Sequence, residues 1–247
     1  MLDLKFLGLG GDSAQHNDFP AQFLVGDTEE DSPGVLVGYS AHTESALRIF
    51  EIDPNSIRRI FVLNLLDTQV GGLENLALST FYGTVPKKTL YVPEALVEDL
   101  WEKLRRPLEA VAGARHKRVT MDVYFNVVSL SEENSVMYEG DLEIRPFRLP
   151  CVPGIHCFGL FVTNTVGPNL AIMPYGTLSA DHLKSVEKLL GPSGSMVVGI
   201  SDVIPVRSEL TSLASLKPGS LGRTILCGAE HTTTITKEVK RGERVLL

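Results

Sequence analysis

The chain has 247 residues, 43% of them hydrophobic and 21% charged, a composition that fits one globular domain spanning 1–247. Its formal net charge of -7, with no long basic run, argues against extended nucleic-acid binding, which needs clustered Lys and Arg against the phosphates. No apolar run approaches the roughly 18 residues of a membrane span, and an odd set of 3 cysteines reads as reduced thiols in a cytoplasmic protein.

The opening residues 2–7 alternate as a strand does and lack the basic start of a signal peptide. They run into Gly8-Leu9-Gly10-Gly11, a turn in which positive φ is permitted. Residues 21–25 and 35–39 read as short strands flanking the acidic loop Gly26–Gly34. Thr43–Ile52 has helical spacing, ended by Pro54; Ile57–Leu63 reads as a buried strand, and a helix is expected from Leu73 to Tyr82. Thr89–Val92 is a further strand. In Glu94–Val111, Leu96, Val97, Leu100, Trp101, Leu104 and Leu108 recur at three and four, with Pro107 expected to kink or end the helix.

From Val123 the period changes to two, predicting strands over 123–129, 135–139, 141–149, 157–163 and 169–173. Ser179 is a suitable N-cap for a helix over Ala180–Leu190, and Met196–Ile200, Thr224–Cys227 and Glu243–Leu246 read as late strands. The basic pairs Arg58–Arg59 and Lys87–Lys88, and the run Arg115–Arg118, are expected to face solvent. This mixture permits two packed sheets with helices outside, a four-layer αββα sandwich, but periodicity alone also permits a three-layer α/β fold.

Several segments, in order, resemble the metallo-β-lactamase superfamily in its RNase Z-like branch, and most of all the cyclic-nucleotide phosphodiesterases of the anti-Pycsar type. These are the opening strand into Gly8–Gly11, Leu36-Val37-Gly38-Tyr39-Ser40, Ile60–Leu63 followed by Val70-Gly71-Gly72-Leu73, and the helix around Leu96–Leu104. Val123–Val127 and Val152-Pro153-Gly154 leading to Phe158-Gly159-Leu160 complete the likeness. The resemblance implies the αββα sandwich, a homodimer, and a phage or bacterial setting.

It also implies a site. The family's chemistry rests on His-x-His-x-Asp-His at a strand end, with later His and Asp ligands, because two divalent metals that activate a water need imidazole and carboxylate donors. Anchored on Gly71-Gly72-Leu73, the four motif positions fall on Asn64, Leu66, Thr68 and Gln69, with Asp67 out of register. The early Asp falls on Gly38, the later His on Cys151, the bridging Asp on Gly176 and the last His on Gly228. No position keeps its usual donor, and no cofactor is expected.

The other constellations are weaker. Cys151, His156 and Cys157, with Cys227 and His231, contain soft donors for a single metal, but adjacent residues on a strand face opposite ways and buried reduced cysteine is common. His16, His42, Asp67, His156 and His231 are candidates to line the mouth of a ligand cleft; a surface-loop role is the plainer reading of each. His116 and His182 read as solvated. Gly8–Ser13 lacks the spacing of a dinucleotide fingerprint or a P-loop. The expected function is a non-catalytic member of the family that binds a nucleotide-like ligand or a protein partner. The alternatives are a metal-dependent nucleotide phosphodiesterase with a rearranged site, and a structural or assembly subunit.

Overall fold

Alternating apolar residues build two sheets, and the same alternation explains why the sheets stack. The structure, a computed structural model, describes residues 2–8, 19–27, 34–112, 119–133, 136–137, 142–151, 153–164, 169–174, 179–199, 224–227 and 244–246. Its strands are β1 (Leu2–Gly8), β2 (Gln22–Asp27), β3 (Val35–Val37), β4 (Arg59–Phe61), β5 (Thr89–Pro93), β6 (Asn126–Leu130) and β7 (Val136–Met137). There follow β8 (Leu142–Leu149), β9 (Cys157–Asn164), β10 (Leu170–Met173), β11 (Ser195–Gly199), β12 (Thr224–Cys227) and β13 (Arg244–Leu246). The helices are α1 (Thr43–Ile49), α2 (Asp67–Val70), α3 (Leu73–Phe81), α4 (Glu94–Ala112) and α5 (Ala180–Leu190), with a 3-10 turn at Met121–Val123.

The first sheet has seven strands in the order β13-β1-β2-β3-β4-β5-β6, and the second has six in the order β12-β11-β10-β9-β8-β7. In the second sheet Leu160, Val162, Leu170, Ile172 and Val197 join the core shared with the first sheet. Their alternates Phe161, Ala171, Met173, Met196 and Val198 pack instead with Leu183, Val186 and Leu190 of α5. Period two thus splits each strand between a sheet-facing and a helix-facing side. On the first sheet, α4 buries Leu96, Leu100, Leu104 and Leu108, one residue per turn; each such side chain contributes about 2 kcal/mol. The result is the four-layer αββα sandwich.

One expectation is resolved and one corrected. Of the two outcomes expected at Pro107, the helix does not end there: α4 runs through it to Ala112, with Leu108 fully buried and its carbonyl accepting the Tyr124 hydroxyl at 2.6 Å. Lys88 does not face solvent: only 1% of it is exposed, and its Nζ donates to Pro54 O at 2.9 Å and Ile57 O at 2.6 Å. The paired carbonyls make that burial tolerable. The run Arg115–Arg118 and His116 lie outside the described residues. No described helix is long and apolar enough to cross a membrane.

Candidate functional site

Sheet connectivity gathers the segments singled out in the sequence at one end of the sandwich. Gly8 at the exit of β1 pairs with Gln22 at the entry of β2. Phe23 opposes Val37, so the entry of β2 also lies beside the exit of β3. β3 and β4 are parallel, with Val37 against Phe61, and Gly38 N donates to Phe61 O at 2.8 Å. The second sheet reaches the same end. Leu149 pairs with Cys157, and Phe158 N donates across to Leu63 O at 2.9 Å. Gly38, the Asn64–Gln69 turn and the paired ends of β8 and β9 at Leu149 and Cys157 are therefore gathered at one end of the fold.

The turn itself is built from side-chain and backbone bonds. Asn64 Oδ1 accepts from Leu66 N at 3.0 Å, the local bond that lets an asparagine start a turn. Leu66 is extended and precedes α2. Tyr39 N then donates to Gln69 O at 2.6 Å and Gly72 N to Tyr39 O at 3.0 Å, clamping the Gly38–Ser40 segment onto the Gln69–Gly72 segment. Two glycines make this approach possible. Gly38 has φ +78°, and a Cβ there would stand 2.6 Å from Gln69 Oε1. A Cβ on Gly72 would stand 2.3 Å from Ser40 O.

Polar side chains concentrate here. Gln22, Ser40, Thr43, Asn64 and Gln69 are all buried. Gln22 Nε2 donates to Thr43 Oγ1 at 2.7 Å, and Ser40 Oγ lies 3.5 Å from the same hydroxyl. Tyr39 donates its hydroxyl to Glu44 Oε1 at 3.1 Å; burial, and then the Glu44 carboxylate, pushes its phenol well above the ordinary range. Asn64 Nδ2, Thr68 Oγ1 and Gln69 Oε1 are buried without a hydrogen-bond partner.

The remaining candidates lie further out. Asp67 points to solvent, its side chain 84% exposed, and bonds Lys103 Nζ on α4 at 2.7 Å. His42 is exposed and stacks on Phe19, ring centres 5.9 Å apart. Cys151 is half-buried and packs, like buried Cys157, on the α5 side of the second sheet, whereas His156 is exposed. His182 sits on the first turn of α5, where Ser179 Oγ accepts its backbone N–H. His16, Gly176, Gly228 and His231 lie outside the described residues. Sequence reasoning missed the Gln22–Ser40–Thr43 cluster and Lys103; no spacing or motif pointed to either.

The chain matches the family described as Anti-Pycsar protein Apyc1 over residues 2–183. It belongs to that family. Anti-Pycsar protein Apyc1 of Paenibacillus sp. (strain J14) is 26% identical over 166 residues, which are 67% of this chain and 64% of that protein. The chain thus spans less than two thirds of its relative's length. Among solved structures, the short form of human tRNase Z aligns at TM-score 0.68 with 15% identity, covering 99% of this chain and 98% of that one. A diphosphatase of the PhnP family aligns at 0.63 with 10% identity over 100% and 98%, and the metallo-β-lactamase fold protein YhfI of Bacillus subtilis at 0.58 with 11% identity over 80% and 71%. These likenesses show the metallo-β-lactamase fold.

In this Apyc1-family chain the described residues do not fit the two-metal centre expected from the resemblance. Gly38 and Leu66 offer no donor atom. Asn64 spends its oxygen on Leu66 N, and Thr68 and Gln69 are neutral, so nothing at these four motif positions or at Gly38 offsets the desolvation of two dications. Of the described positions that the resemblance assigns to ligands, Cys151 alone brings a donor of the kind zinc ordinarily takes. Among the described residues, no three His, Cys, Asp or Glu side chains come together to hold a metal ion.

Proposed function

We propose that this chain is a non-catalytic member of the Apyc1 family that keeps the sandwich as a scaffold for binding a nucleotide-like ligand. The observation that carries this reading is the packing of Gln69 against Gly38, two positions that the resemblance gives to an imidazole and a carboxylate. Where charged donors would converge on cations, a neutral amide fills the space. A two-metal hydrolase needs a metal-bound water of lowered pKa, and neutral amide, hydroxyl and alkyl groups do not assemble one.

Metal analysis and activity assay on protein purified without chelator test this reading. Zinc and manganese are expected far below one equivalent, with no hydrolysis of cyclic mononucleotides, while these nucleotides raise the melting temperature through binding to the folded state. Stoichiometric metal, together with a phosphodiesterase activity lost in Cys151→Ala, overturns the proposal. Absent both activity and a nucleotide-induced shift, the scaffold serves a protein partner instead.

A further inference from the structure

The inward places of β8 carry Leu142 and Ile144 in the core between the sheets, then buried Pro146, and then a cation, Arg148. Leu149 packs on the α5 side, so by alternation Arg148 stands on the face that looks across to the first sheet. It lies opposite Phe158 in register, with its guanidinium carbon 5.9 Å from the centre of the Phe158 ring. A charge closing an apolar row marks the place where the core opens to water.

That opening is the end of the sandwich that carries the Asn64–Gln69 turn. The parallel strands β3, β4, β5 and β6 all finish on this edge, the side of a parallel sheet outside which ligands bind. Phe158 N donates to Leu63 O, next to Asn64, and Arg148 is one strand spacing away, about 5 Å. Two residues past β6, Glu132 Oε1 stands 3.8 Å from Arg148 Nε, a long pair in which each side chain is 54% exposed. Lys103, the cation beside the turn, is held more closely, by Asp67 at 2.7 Å.

We propose that Arg148 is the phosphate-binding residue of this site and takes the negative charge of a nucleotide-like ligand. The inference rests on the non-catalytic reading above: where no metal pair neutralises a phosphate, another counter-charge must offset its loss of water. A guanidinium supplies a permanent charge and a planar N–H fork that matches two phosphate oxygens. The Phe158 ring orients that fork, and Glu132, exposed and distant, competes for it only weakly.

Calorimetric titration of the full chain with cyclic AMP, adenosine and inorganic phosphate tests the assignment, on wild type, Arg148→Met and Glu132→Gln. Arg148→Met should weaken cyclic AMP binding about tenfold or more and leave adenosine binding unchanged. Glu132→Gln removes the competing carboxylate and should strengthen cyclic AMP binding. An Arg148–Glu132 pair that served the fold alone would make the two variants behave alike, so effects of the same sign overturn the assignment. Exposed pairs add little to stability, and both variants should keep melting temperatures near that of wild type. Equal cyclic AMP affinity in wild type and Arg148→Met overturns the role of Arg148 and leaves the non-catalytic reading standing. Inorganic phosphate bound as tightly as cyclic AMP, and lost in Arg148→Met, upholds the anion site but overturns the nucleotide reading. Wild type that binds none of the three overturns both.

Discussion

Lys103 Nζ lies 2.7 Å from Asp67 Oδ1, and both side chains are open to solvent. The single carboxylate in the motif window is thereby turned towards α4 and away from the buried amides of Asn64 and Gln69. An exposed pair of this kind contributes about 0–1 kcal/mol. Asp67→Asn and Lys103→Met are each expected to change stability by no more than that in urea titrations, with the small loss vanishing at high salt. A loss several times larger means that the pair anchors the turn itself.

Gly38 and Gln69 are expected to be coupled. Gly38→Ala carries a left-handed backbone cost of about 1–2 kcal/mol and drives its new methyl into Gln69, whose Oε1 stands 2.6 Å from the Cβ position. Gln69→Ala clears that space at the cost of a cavity. The double variant Gly38→Ala/Gln69→Ala should lose less than the two single losses added together, with a coupling of about 0.5–3 kcal/mol. Simple additivity in a double-mutant cycle removes the contact from the account.

Gly72→Ala tests the clamp between the two turns. Its Cβ meets a backbone oxygen, Ser40 O, at 2.3 Å, so no side-chain rotation relieves the clash and the bond from Gly72 N to Tyr39 O must lengthen. Overpacking of this kind costs about 1–3 kcal/mol. Thermal unfolding should show a drop of several degrees, whereas Gly83→Ala, where an added Cβ meets nothing within 4 Å, should lose only its backbone cost.

Lys88 makes stability depend on alkaline pH. Burial, with Arg58 adding to it against Glu44 and Asp53, lowers its ammonium from 10.5 to about 8. Between those values the unfolded chain holds the proton more tightly than the fold, so this residue's contribution to stability rises with pH across the window. Below about 8 the buried charge is carried in full. The neutral amine still has two N–H donors for Pro54 O and Ile57 O. Lys88→Met leaves both carbonyls unpaired, a loss of about 1–3 kcal/mol. The gap between wild type and variant should widen from pH 8 to pH 10.5; a gap that narrows refutes the assignment.

The sandwich was legible because its signals are local and repeated. Leucines at every fourth place in α4, the alternation in β8 and the apolar runs of β9 and β10 mark elements, and the resemblance chose between the two layer orders that this pattern allowed. Other features depend on partners far along the chain. Pro107 reads as a kink or an end, and only the fold shows α4 running through it to Ala112. Lys88 reads as a surface cation until the Pro54 and Ile57 carbonyls close on it. Residues 62–63 read as strand, yet β4 stops at Phe61 because Leu63 O turns to bond the other sheet. At the candidate site, hydropathy and spacing say nothing of a side chain such as Gln69 folding over a glycine.

That bond from Phe158 N to Leu63 O makes two motions into one. Parting the sheets would break the link beside Asn64, and loosening the Asn64 turn would weaken it, so each event bears on the other. Exchange of the Phe158 amide, expected to be slow while that bond holds, thus gives a single-residue gauge of both, read without any ligand in hand.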